Sequence, residues 1–169
     1  MKLHAPRAMT TLVCAVAASA ALGATAFAAP HGGRHHRQGI AAAWAAAWNG
    51  TEPEALGDLF TARATYTDQA IGVTLHGRKE IAGWKTRTNS LIENAHVTVH
   101  ATHRAGQHLT IEAVYSGHLK GAPKPFAVPM ATLLELHGHH LIASDQDYYS
   151  LNQVLAQSGL PADWTPPAA

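Results

Sequence analysis

Cysteine is almost absent: one residue, Cys14, in a chain of 169. An intrachain disulfide is therefore impossible. Basic residues never cluster with interleaved aromatics, although the chain holds 12 Lys and Arg against 11 Asp and Glu. A nucleic-acid surface needs such a cluster, so nucleic acid is not expected as a partner. No Gly-rich phosphate loop, nucleophile elbow or Ser/His/Asp order is present, which leaves covalent catalysis without support.

What the chain does have begins with a leader. Lys2 and Arg7 precede an Ala-rich apolar run from Met9 to Thr25, and Ala26-Phe27-Ala28 fits a small-x-small cleavage site. The expectation is an exported precursor cut before Ala29, secreted or periplasmic, with no stable membrane insertion after cleavage. An uncleaved anchor is the rival, but the run is Ala-rich and short for a span. Cys14 lies in this leader, and Thr11-Leu12-Val13 before it lacks the small residue of a lipoprotein site. Removing residues 1–28 takes away Lys2 and Arg7 and leaves a formal charge of −1 with His neutral. The domain plan is a signal peptide over 1–28, a flexible His-rich tail over 29–39, one domain over 40–160 and a Pro-rich, loosely held tail over 161–169.

The 13 histidines do not add up to a metal site. Pro30 lacks the amide hydrogen that an N-terminal copper or nickel site at Ala29-Pro30-His31 requires. His96 and His100 are four apart on a predicted strand, about 13 Å at ~3.3 Å per residue. His137, His139 and His140 crowd a turn without a carboxylate or Cys at ligand spacing. No metal and no cofactor are expected.

Periodicity supplies the elements. Ile40, Trp44 and Trp48 form one stripe of an Ala-rich helix ended by Asn49-Gly50. Thr51-x-x-Glu54 reads as a capping box for a second helix with Leu56, Leu59 and Phe60 on its buried side. Thr65-Tyr66-Thr67 and Val73-Thr74-Leu75 read as short strands around an Asp68–Gly72 turn. Ile81, Trp84, Leu91 and Ile92 then recur at helical spacing. From Ala95 the period is two: strands over 95–103, 108–119, 126–136 and 141–149, with Pro129 marking a bulge or an edge. Ser150-x-x-Gln153 caps a last short helix closed by Gly159 and Pro161. Helices followed by hairpin-linked strands make an α+β domain with helices on one face of an antiparallel sheet.

Four pieces carry a resemblance over about residues 40–160: Trp48-Asn49-Gly50; Leu59-Phe60 followed by Ala64-Thr65-Tyr66-Thr67-Asp68; His76-Gly77-Arg78-Lys79-Glu80-Ile81; and Asp147-Tyr148-Tyr149-Ser150 leading into Gln157-Ser158-Gly159-Leu160. Their order resembles the nuclear transport factor 2-like superfamily, within it the SnoaL-like polyketide cyclases and ketosteroid isomerases. The resemblance implies a cone-shaped fold: three N-terminal helices on a curved, mostly antiparallel sheet, a short C-terminal helix, and an apolar pocket for flat or polycyclic ligands. It also implies a homodimer through the sheet. At the place of Asp68 the steroid isomerases carry a proton-shuttling Asp, which this chain keeps. Their carbonyl-polarising Tyr falls at Trp44 and their late-strand Asp near Met130, so two of three groups are replaced. The cyclase-like members usually carry an Asp at the place of Ser150, with Asp145 and Asp147 just before it here.

Asp68 is thus the leading candidate base, against the plainer role of satisfying turn amides. Asp147 shares strand parity with Asp145 and is a candidate acid if it faces inward. Tyr66 could orient a carbonyl or simply fill core volume. Trp44, Trp48 and Trp84, with Tyr115 and Met130, are candidate ligand walls or ordinary core. The function these residues suggest is an exported domain that binds a small apolar or aromatic molecule, with cofactor-free isomerase, cyclase or hydratase chemistry on a carbonyl compound. The alternative is a non-catalytic ligand carrier or a dimerisation and partner-binding module. For the leader, the expected outcome is an exported protein whose intact mass begins at Ala29; retention of Met1 in the membrane fraction would support the uncleaved anchor.

Overall fold

The computed structural model describes residues 39–166. The leader with its cleavage site and Cys14, the His-rich tail before Gly39 and the last three residues lie outside the described residues. The elements are α1 (Ile40–Asn49), α2 (Pro53–Gly57), β1 (Phe60–Asp68), β2 (Val73–His76), α3 (Gly77–Leu91), β3 (Ile92–Ala105), β4 (His108–Leu119), β5 (Phe126–His137), β6 (Leu141–Tyr149) and α4 (Leu151–Ser158).

The six strands form one sheet in the order β2-β1-β6-β5-β4-β3. All neighbours are antiparallel except β1 and β6, which run parallel. The first strand therefore returns to the sheet beside the last. This is the curved, mixed α+β architecture that the resemblance implied.

Helix α1 buries Ile40, Trp44 and Trp48, the stripe read from the sequence. Its C-terminal carbonyls find donors from elsewhere. Gly50 N–H donates to Ala46 O, and the buried Lys85 ammonium of α3 donates to Trp48 O. A cation there also suits the negative end of the helix dipole. Asn49 acts as a substitute strand residue: its Oδ1 accepts from Val97 N–H at 2.6 Å and its Nδ2 donates to Val97 O at 3.0 Å. That clamp sits just past an irregularity in the β3–β4 register between Glu93 and His96. Gly117 of β4 lies beneath it, where an added Cβ would stand 2.5 Å from Ile92 Cγ2. The bend in β3 thus needs glycine on its partner strand.

Two local expectations are corrected, and a third is met in one of its forms. The Thr51 capping box does not form: Glu52 is the N-cap without a side-chain bond, and the Thr51 hydroxyl turns to the Glu52 carboxylate. Pro53 already starts the helix, and five residues leave little to cap. Leu59 and Phe60 are not on α2, which ends at Gly57; Phe60 opens β1 and is fully buried there. Pro129 makes no bulge but does meet a local edge: it is in register with Val114 of β4 only, on a strand that is interior over most of its length. It is tolerated because β6 ends at Tyr149, opposite Met130, so at Pro129 strand β5 is flanked by β4 alone. The second capping box forms in half, with Ser150 Oγ accepting from Gln153 N–H.

Two apolar clusters result. One joins α1, α3 and the inner sheet face through Trp44, Leu56, Phe60, Ile81, Ile111 and Leu134. The other joins α4 to Leu119, Phe126 and Val128. After α4, Leu160 and Trp164 pack on this second cluster. Replacing Asn49 by Ala removes both bonds to Val97. We expect a loss of about 1–3 kcal/mol and a melting temperature lower by several degrees, measured by thermal denaturation; an unchanged midpoint would refute the clamp.

Candidate functional site

Strand alternation and the β1–β6 register build the site. On β1, Tyr66 and Asp68 point to the core; on β6, Asp145, Asp147 and Tyr149 share a face, the two aspartates buried and Tyr149 half-buried. The parallel register sets Tyr66 beside Asp145 and Asp68 beside Asp147. Thr132 of β5 lies opposite Asp147 on the other flank. Like charges on directly paired residues repel, so the neighbourhood must supply donors.

It supplies hydroxyls. Tyr66 OH donates to Asp147 Oδ2 at 2.6 Å, and Thr132 Oγ1 donates to Asp147 Oδ1. Tyr149 OH donates to Asp68 Oδ2 at 2.9 Å. The other Asp68 oxygen accepts from Ala70 N–H at 3.0 Å and Ile71 N–H at 3.1 Å, while Gly72, at φ +76°, closes the turn on Asp68 O. Asp68 thus holds the turn through one oxygen, as the plainer reading had it, while its other oxygen is turned to Tyr149. Trp44 Nε1 donates to Asp145 Oδ2 at 2.9 Å. The remaining oxygen, Asp145 Oδ1, and Trp48 Nε1 are buried without partners.

A cavity of about 110 Å³ opens above these groups. Of the sequence candidates, Asp68, Asp147, Tyr66, Trp48, Trp84, Tyr115 and Met130 all line it. Trp44 does not: it is fully buried, and its indole is spent on Asp145, so its place as a ligand wall is corrected to a support. The rings pack edge to face, with Tyr115 centred 5.2 Å from Phe126 and 5.5 Å from Tyr149. Tyr149, Thr132, Arg87 and Trp164 were not singled out from the sequence. Parity with Asp147 could have found Tyr149; Thr132 required the β5–β6 register, and Trp164 required the path of the chain after α4. Arg87, exposed, is the single cationic side chain among the lining residues. Among the described residues no group of three or more His, Cys, Asp or Glu is placed to hold a metal.

Burial decides the protonation of these groups. It raises Asp68, opposed by the Tyr149 hydroxyl and the Ile71 and Ala70 amides. It pushes Asp147 up to about 6, with the Thr132 and Tyr66 hydroxyls pulling down and the Asp68 charge pushing up. Asp145 is raised well above the carboxylate range, by burial and then by the Asp147 charge. Tyr66, Tyr115 and Tyr149 are raised too, chiefly by burial, and stay protonated donors.

The sign of the stability effect follows. Asp147 binds its proton more tightly folded than unfolded, so its contribution is fully present below 3.8 and is lost as pH rises through about 6. The cost at neutral pH is on the order of 3 kcal/mol. Asp147→Asn should therefore lessen the fall in melting temperature between about pH 4 and about pH 7; parallel curves for the two proteins would refute it.

No curated protein matches the chain. Among solved structures, a protein with a ketosteroid isomerase-like fold from Catenulispora acidiphila DSM 44928, in complex with trimethylamine, is 68% identical; the match covers 75% of this chain and 97% of that one, with a TM-score of 0.74. An NTF2-like protein from Burkholderia thailandensis E264 is 20% identical over 72% of this chain and 95% of its own, TM-score 0.62. A candidate SnoaL-like polyketide cyclase from Shewanella denitrificans OS-217 is 13% identical over 70% and 93%, TM-score 0.63; these last two share the fold. The profile of the SnoaL-like domain matches residues 41–144, which span both helices before β1 and the sheet as far as the start of β6. With the 68% identical relative, this match establishes that the chain belongs to the SnoaL-like domain family.

Proposed function

We propose that the cavity binds a compact alkylammonium cation. One observation carries this reading: Asp68 and Asp147, 4% and 3% exposed, reach the same apolar and aromatic cavity without a cation paired to either among the described residues. Neutral hydroxyls and amides satisfy their lone pairs but do not cancel their charge. A buried uncompensated charge is costly, and a cationic ligand relieves that cost. Trp48, Trp84, Tyr115 and Tyr149 line the cavity, and an aromatic face is worth about 0.5–2 kcal/mol to an onium group.

Size supports a compact ligand. An apolar cavity of roughly 150 Å³ takes up one benzene, and this one measures about 110 Å³. A fused-ring ligand of the kind the resemblance implied would need the walls to move apart. The trimethylamine complex of the 68% identical relative supports the same ligand class.

A second reading is favoured by a separate observation. Asp147 is pushed up to about 6, which suits a group exchanging protons near neutral pH, and Trp48 Nε1 is an unused buried donor on the cavity wall. In that reading Asp68 is the base, Asp147 the acid partner, and Trp48 the polariser of a small carbonyl compound. Export and homodimer formation through the sheet are carried forward as part of the proposal in either reading.

The test is calorimetry and thermal shift with trimethylammonium and tetramethylammonium chloride, against neutral tert-butanol of similar shape. The cations should raise the melting temperature, since a ligand of the folded state stabilises it, and tert-butanol should not. Asp68→Asn should weaken cation binding at least tenfold, about 1.4 kcal/mol. Equal responses to the cations and tert-butanol, or none, would overturn the reading; selective binding of a small ketone would favour the second.

A further inference from the structure

Asp145 remains unexplained by the cavity. It is fully buried, yet does not line the cavity. Its Oδ2 accepts from Trp44 Nε1, and its Oδ1 has no donor. Orphaned buried polar atoms are rare in folded proteins and call for a physical reason. An ionised oxygen with no donor, on the same strand face as a second carboxylate, would be among the most costly arrangements available. The cost disappears if that oxygen carries a hydrogen.

We propose that Asp145 is held as the neutral acid and that its Oδ1–H is given to Asp147, so the two side chains share one negative charge and Asp147 is aimed, as the anion, at the cavity. Asp145 is then a positioning residue acting through Asp147. Asp145 and Asp147 lie two residues apart on one face of β6, both buried. Every charged or titratable group facing Asp145 agrees with this. Asp147 on β6 and Asp68 on β1 both disfavour a further negative charge. Tyr66, its neighbour across the β1–β6 register, already donates to Asp147. From α1 comes only the neutral indole of Trp44. Among the described residues, neither ion pair involves it. Two carboxyl groups in one site characteristically share a proton in this way.

The geometry also explains why the acceptor is Asp147 rather than Asp68. Asp68 already takes two amides and a hydroxyl, whereas Asp147 takes two hydroxyls and no amide. A third donor from Asp145 brings Asp147 to the same complement.

The experiment is a pH titration of the full chain carrying ¹³C-carboxyl aspartate, read by NMR; with five aspartates in the chain, each signal can be assigned by single substitution. One carboxyl should stay in the neutral-acid position through neutral pH, and Asp145→Asn should remove that signal. Asn keeps an N–H for Asp147 and an oxygen for Trp44, so the Asp147 midpoint should stay near its wild-type value, whereas Asp145→Leu should raise it. All carboxyls ionised at neutral pH, or a neutral-acid signal that survives Asp145→Asn, would overturn the proposal. If Asp145→Asn fails to fold, Asp147→Asn decides: the neutral signal must persist there, and its loss would overturn the assignment. No ligand is used, so the outcome is independent of the alkylammonium reading.

Discussion

The parallel pairing of β1 with β6 is the constraint on which the rest depends. It joins the β1–β2 hairpin to the other four strands in one sheet and sets Asp68 beside Asp147. Two carboxylates abreast in an apolar interior repel, and the neighbours answer with crossed hydroxyls: the tyrosine of each strand donates to the aspartate of the other. Loss of that register by one residue would turn these side chains to the opposite face and leave both aromatic rings and both charges without partners.

The same pairing explains how a cavity survives here. Rings and hydroxyls in this cluster are tied to fixed acceptors, so they cannot collapse freely into the space above. Trp48 packs 6.0 Å from Tyr66, centre to centre, and the Lys85 ammonium stands over its ring, 5.5 Å from the centroid. Tyr115 is held between Phe126 and Tyr149. Packing fixes the walls and hydrogen bonds fix the floor. In the proposed reading, an anionic floor in an aromatic box selects for a cation by electrostatics and against large ligands by volume.

Much of the architecture is legible in local pattern. The α1 stripe and the strands β4 and β6 follow directly from periods of 3.6 and 2, because each such element buries one face of its own repeat. Local pattern fails where a neighbour outvotes local preference: Phe60 joins a strand because β6 offers it a partner at Ile142. Pro129 keeps the edge its chemistry asks for, because β6 stops one residue short of it. Asp68, Asp147 and Tyr66 could be picked out by residue type, parity and resemblance. Their hydrogen bonds could not, since Tyr66 and Asp147 are 81 residues apart.

By itself, then, the sequence determined the α+β class, the element order, the family resemblance and the parity shared by Asp145 and Asp147, because these rest on short-range repeats and on residue types. Only the tertiary structure decided that Trp44 supports Asp145 instead of walling the cavity, that Thr132 and Tyr149 serve the carboxylates, that Trp164 returns to the pocket, and that the space is small. Those outcomes depend on sheet register and on packing between distant segments, which no local pattern encodes.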